Sequence, residues 1–141
     1  KVTISDPPAK PSMPSATLTA LAVNMTKKVD LKYRSYIYAI KIIKFIDTLN
    51  TKDYSVQAIT KQLIRSATSI GANTVEAQAG SSKKDFTNFY FHSLKSANET
   101  KFWLGLLRDT NKCNKESVNK LLKETSELAN ILGASIITLK K

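Results

Sequence analysis

The sequence predicts an all-α protein, an up-down-up-down antiparallel four-helix bundle. Three observations lead there. All four prolines, Pro7, Pro8, Pro11 and Pro14, lie in the first fourteen residues, so nothing later in the chain forbids a helix on that ground. From about Asp30, apolar residues recur at helical spacing in four stretches, without the period-two alternation of strands. Three short polar breaks separate the stretches, and short connections between long helices favour antiparallel neighbours. At 141 residues the chain has room for one modest core. It divides into a Pro-rich N-terminal arm over 1–28 and a bundle domain over 29–141.

Within the arm, Thr17–Met25 reads as a short apolar helix or as a strap laid on a partner. The first bundle helix is expected from about Asp30 to Leu49, with Tyr33, Tyr36, Ile37, Ile40, Ile43 and Ile46 on one broad face. Asn50-Thr51-Lys52-Asp53 stops it, and Asp53 or Ser55 caps the second helix. That helix, Ser55 to about Gln78, buries Ile59, Leu63, Ala67, Ile70 and Thr74. Gly80 terminates it. Ser81 or Ser82 caps the third, with Asp85 three residues after Ser82 as the capping-box partner.

The third helix, Lys83 to about Asp109, is the most aromatic. Its inward line is Phe86, Phe89 or Tyr90, Ser93, Ala97, Leu104 and Leu107. Thr110–Asn114 breaks the pattern. The fourth helix, Lys115 to Leu139, carries Val118, Leu121, Leu122, Leu128, Leu132 and Ile136.

Composition narrows the functional classes. The apolar fraction of 42% fits a folded protein, and no apolar run approaches the roughly 18 to 20 residues of a membrane span. Lys1 is followed by four prolines before any apolar segment, which does not read as a secretory leader. One cysteine, Cys113, suits a reducing compartment, so the expected location is cytoplasmic. One His and one Cys cannot form a four-ligand Cys/His zinc site. Twenty-two Lys and Arg against eleven Asp and Glu give a net charge of +11. From Val29 onward, eighteen basic and ten acidic residues still leave +8. Such an excess favours polyanions: RNA, DNA or an acidic protein face.

No catalytic constellation emerges. The glycines, Gly71, Gly80, Gly105 and Gly133, form no phosphate-cradling loop, and His92 pairs with no Ser or Cys at a recognisable spacing. Glu76 and Glu99 lie on adjacent helices, as di-metal carboxylates do, but neither has a His three residues on. With Asn73 and Asn98 they read as a structural polar network that fixes helix register or a subunit contact. No metal or cofactor is expected.

The basic groups make the better case. Lys61 and Arg65 lie four apart on the second helix. Lys83 and Lys84 stand at the first turn of the third, where the helix dipole also favours anions. Lys41 and Lys44 add charge on the first helix, and Lys95 and Lys101 continue it along the third. Acidic residues are sparse between Lys32 and Arg108. Tyr38, Tyr54 and Phe91 are either stacking platforms for bases or core and interface aromatics.

Gln62-Leu63-Ile64-Arg65-Ser66-Ala67, Ser69-Ile70, Asn73, Glu76, Ser82-Lys83-Lys84-Asp85-Phe86 and Ser96-Ala97-Asn98-Glu99 together resemble the 23S ribosomal RNA intervening-sequence protein family. Its relatives include the accessory variability determinant proteins of diversity-generating retroelements. The resemblance covers about Leu31 to Lys140. One segment departs from it: the family pattern Asn-Ile-Ala-Glu-Gly stands here as Asn73-Thr74-Val75-Glu76-Ala77.

The resemblance implies a four-helix protomer that assembles into a homopentameric barrel, often with a basic surface or channel. Intervening-sequence members are encoded within insertions in ribosomal RNA genes, and retroelement members are implicated in binding reverse transcriptase and nucleic acid. The expected function is therefore a non-enzymatic oligomeric nucleic-acid-binding or adaptor protein. The alternative is a scaffold for an acidic partner, such as a reverse transcriptase or other ribonucleoprotein subunit, without direct nucleic-acid contact.

Overall fold

Four capping side chains set where the helices begin. The computed structural model describes residues 30–141, and the arm over 1–28, with Thr17–Met25, lies outside them. Among the described residues there are four helices and no strand: α1 (Leu31–Asp47), α2 (Tyr54–Gln78), α3 (Lys83–Asp109) and α4 (Lys115–Leu139). Asp30, Asp53, Ser82 and Asn114 accept from the backbone N–H three residues on, at Tyr33, Val56, Asp85 and Ser117. Each satisfies a donor that the helix start would leave without a partner. Asp53, and not Ser55, is the cap of α2. The Asp85 carboxylate accepts from the Ser81 hydroxyl at 2.9 Å, so the capping box is half formed.

Two turns close in different ways. After α3, Asn111 takes a left-handed backbone with φ of 58°. Its N–H donates to the Arg108 carbonyl, and the Lys112 N–H to the Leu107 carbonyl at 3.0 Å, a Schellman closure with Asn in the usual Gly place. Gly80 ends α2 without a positive φ. A Cβ there would stand 3.1 Å from the Ala77 carbonyl oxygen, so close backbone approach selects the glycine.

The helices pack in cyclic order, α1 on α2, α2 on α3, α3 on α4, and α4 back on α1, while the diagonal pairs do not meet. The α2–α3 pair is the most extensive and the α1–α4 pair much the least. The hydrogen-bonded pairs between α2 and α3 run in opposite order along the two helices: Ser66 with Thr100, then Ile70 with Ser93. Small side chains allow that closeness. Ala67 and Ala97 are fully buried on the seam, where the Ser93 hydroxyl donates to the Ile70 carbonyl at 2.8 Å. The Thr100 hydroxyl donates to Ser66 Oγ at 2.9 Å. Around them Leu63, Ile70, Leu104, Leu107, Leu128 and Leu132 are fully buried, each contributing about 1.5–3 kcal/mol of transfer free energy.

The inward lines of α2, α3 and α4 follow the expected residues closely. Leu63, Ala67, Ile70 and Thr74 are buried and Ile59 half-buried; Tyr90 takes the inward place, with Phe86 and Phe89 at the boundary. α1 differs. Its buried residues are Leu31, Ser35, Tyr38, Ile42 and Phe45, whereas Tyr36 and Ile43 are exposed at 36% and 42%. α1 is apolar almost all round, so hydropathy alone leaves two lines in competition. Close approach decides between them. Ser35 faces Gly71, where an added Cβ would lie 3.3 Å from Ser35 Cβ, and the Tyr38 hydroxyl reaches Thr125 on α4.

Candidate nucleic-acid interface

Helix geometry distributes the candidate basic residues over three parts of the surface. Lys41 and Lys44 stand one turn apart on the exposed side of α1, beside α4. There they share the rim of a groove of about 400 Å³ with Lys120 of α4. Lys61 and Arg65 occupy successive turns on the outer side of α2, and Lys83 and Lys84 the exposed first turn of α3. Lys83 also borders a shallow hollow of about 300 Å³ formed by Gly80, Phe86 and Leu139.

The ion pairs separate these cations into two kinds. Arg65 donates to Glu99, which also accepts from the Trp103 indole at 2.9 Å, and to Gln62 Oε1 at 3.2 Å. Arg34 meets Glu124 through two parallel bonds of 2.9 and 2.7 Å, and Glu127 at 3.3 Å. Arg108 is paired with Asp109 at 2.8 Å. Every arginine of the chain is thus held by a carboxylate. Lys41, Lys44, Lys61, Lys83 and Lys84 have no carboxylate partner among the described residues.

Electrostatics follow the pairs. Hydrogen bonding from Arg34 holds the Glu124 carboxyl below its ordinary range, and the same bond raises the Arg34 guanidinium. Hydrogen bonding from Lys112, at 2.6 Å, lowers Asp53 and ties the α3–α4 turn to the cap of α2. Burial pushes up the Cys113 thiol and the Tyr38 phenol.

Of the three candidate stacking aromatics, Tyr38 is completely buried and belongs to the core. Tyr54 is 82% exposed at the first residue of α2. Phe91 is half-buried, with the Lys140 ammonium 4.7 Å from its ring centre. Within one chain, Asn73, Glu76, Asn98 and Glu99 are not joined to one another. Asn73 donates to the Ser69 carbonyl of its own helix at 2.8 Å, Glu76 is half-buried, Asn98 is exposed, and Glu99 holds Arg65. The buried polar contacts instead run through Ser66, Ser93, Thr100 and Thr125. Their i, i+3 and i, i+4 spacing with Leu63, Ala97 and Leu121 is the signal that places them inward. His92 is exposed, and no three His, Cys, Asp or Glu side chains cluster among the described residues. No helix among the described residues is long and apolar enough to cross a membrane.

The model of the 23S rRNA-intervening sequence protein family matches residues 27–134. The chain belongs to this family. No curated protein matches the chain. Among solved structures, it is similar to a protein with unknown function from the S23 ribosomal protein family of Bacteroides thetaiotaomicron VPI-5482, determined at 1.70 Å resolution. The two share 34% identity and superpose with a TM-score of 0.70, covering 75% of this chain and 97% of that one. As a member of the 23S rRNA-intervening sequence protein family, the chain places its matched region over α1, α2, α3 and most of α4.

Proposed function

We propose that this protein is a non-enzymatic, oligomeric nucleic-acid-binding protein that meets phosphates with lysines on an up-down-up-down antiparallel bundle. The observation that carries this reading is the division of the cations. All arginines are engaged by carboxylates, while Lys41, Lys44, Lys61, Lys83 and Lys84 are exposed and have no such partner among the described residues. Lysine is a compact point charge suited to phosphate, whereas reading a base edge favours the planar fork of arginine. Binding is therefore backbone-directed and indifferent to sequence.

Assembly as a pentamer is part of this reading. Exposed Ile43, Ile64 and Phe102 and the unjoined Asn73, Glu76 and Asn98 suit a contact between copies. Light scattering tests it, and a monomer is the contrary result. Fluorescence-anisotropy titration with single-stranded and duplex RNA at low salt tests the binding. Saturable binding is expected, and its absence removes the reading.

The same exposed apolar residues favour a second reading, a scaffold for an acidic protein such as a reverse transcriptase. Co-purification that survives nuclease treatment, with no RNA binding by the isolated protein, selects it.

A further inference from the structure

The seam between α1 and α4 is closed at one end and open at the other. At the closed end, Arg34 grips Glu124 and Glu127, and the Tyr38 hydroxyl meets Thr125 in the interior. This neighbouring pair has the least extensive contact in the bundle, and from Glu124 toward Ser117 a groove lies between the two helices. The groove has a volume of about 400 Å³, at the lower end of the roughly 300–1,000 Å³ of small-ligand sites. Its floor is apolar, formed by Phe45 and Leu121, and its rim carries the ammonium groups of Lys41, Lys44 and Lys120. Thr48 and Ser117 add hydroxyls at one end.

Two carboxylates stand close by, and both are engaged. Glu124 enters the groove wall but is neutralised by its two bonds to Arg34. Glu116 lies 3.6 Å from Lys120, an exposed contact that is weak in water. Lys41 and Lys44 have no carboxylate partner among the described residues. An apolar floor beneath three cations matches a ligand with a flat apolar body joined to an anion.

We infer that the α1–α4 groove is a binding site for one nucleotide unit of a single-stranded nucleic acid, with the base on Phe45 and Leu121 and its phosphates on Lys41, Lys44 and Lys120. This rests on the nucleic-acid reading above and narrows it to one place and one strand form. A duplex keeps its bases stacked and paired, so it offers the groove only phosphates. A single strand offers both parts. Contact between a base and an apolar platform tolerates any base, in keeping with the absence of an arginine fork at the rim.

The test compares the wild type with K41Q/K44Q and, as a control of equal charge loss at lysines given no part in binding, K140Q/K141Q. All these lysines are exposed, and unchanged far-UV circular dichroism and melting temperature verify that the variants fold. The probes are an oligouridine, its abasic counterpart of equal length, and an oligoglutamate. K41Q/K44Q is expected to reduce the salt slope for oligouridine by about 1.4, two contacts at roughly 0.7 each, and the control to reduce it less. The abasic strand is expected to bind more weakly than oligouridine to the wild type, and equally with it to a charge-preserving floor variant, L121A, whose fold circular dichroism verifies. Photo-crosslinks from 4-thiouridine are expected on the peptides containing Phe45 and Leu121.

Oligouridine binding that K41Q/K44Q weakens no more than K140Q/K141Q overturns the groove and leaves the broader reading standing. Equal affinity for the abasic strand overturns the role of the floor. Displacement of oligouridine from the groove by oligoglutamate at matched charge shows a peptide site instead. No binding of oligouridine at all sinks the broader reading itself.

Discussion

Replacing Thr125 by valine should destabilise the protein more than removing the hydroxyl of Tyr38, although both changes delete the same hydrogen bond. Tyr38 is completely buried, and its hydroxyl meets Thr125 Oγ1, which in turn donates to the Leu121 carbonyl at 2.6 Å. In Tyr38→Phe the Thr125 hydroxyl keeps its carbonyl acceptor, so only the net value of one bond is lost, about 1 kcal/mol. In Thr125→Val the phenol stays in the interior without its partner. Desolvating an unsatisfied hydroxyl costs about 1–3 kcal/mol, so a loss near 2 kcal/mol is expected.

The double variant Tyr38→Phe/Thr125→Val removes both polar groups. It should therefore be more stable than the sum of the single effects implies, by about 1 kcal/mol of coupling. Urea denaturation at a constant m-value reads all three differences as shifts of midpoint. A Thr125→Val loss equal to or smaller than that of Tyr38→Phe, or strict additivity, refutes the hydrogen-bond account of the α1–α4 seam.

Acid stability should depend on Glu124. Its folded pKa lies below the unfolded value, so its stabilisation is present above the unfolded carboxylate pKa and is lost as pH falls through the folded one. Glu124→Gln is expected to flatten the acid limb of the stability-versus-pH curve, which denaturation midpoints between about pH 5 and 2 would show. In alanine substitutions of helical glycines, Gly105→Ala and Gly133→Ala should each gain up to about 1 kcal/mol, because nothing lies within 4 Å of an added Cβ. Gly71→Ala should gain less or lose, since Ser35 must yield; equal gains at all three sites in urea titrations contradict the close α1–α2 approach.

The helices were legible because their signals are local. Asp53, Ser82 and Gly80 mark ends through backbone chemistry that needs no distant partner. The face of α1 was not legible, because Tyr36, Ile40 and Ile43 are as apolar as the line that is buried. Only the meeting of Ser35 with Gly71, and of Tyr38 with Thr125, settles the rotation, and both partners lie on other helices. The inward place of Tyr90 over Phe89 has the same character. For the candidate interface, the sequence identified cations but not their company. Arg65 is taken by a residue 34 positions away, and Lys41 and Lys44 gain Lys120 from the far helix. Arg34, which closes the seam, lies 90 residues from Glu124, and nothing local in the sequence signals their bond.

The salt dependence of single-stranded RNA affinity tests the central claim most directly. With exposed lysines as the contacts, log affinity should fall linearly with log salt, at about 0.7 per phosphate contacted, and change little among oligonucleotides of different sequence. Affinity that is independent of salt, or confined to one sequence, contradicts a lysine-borne, backbone-directed interface.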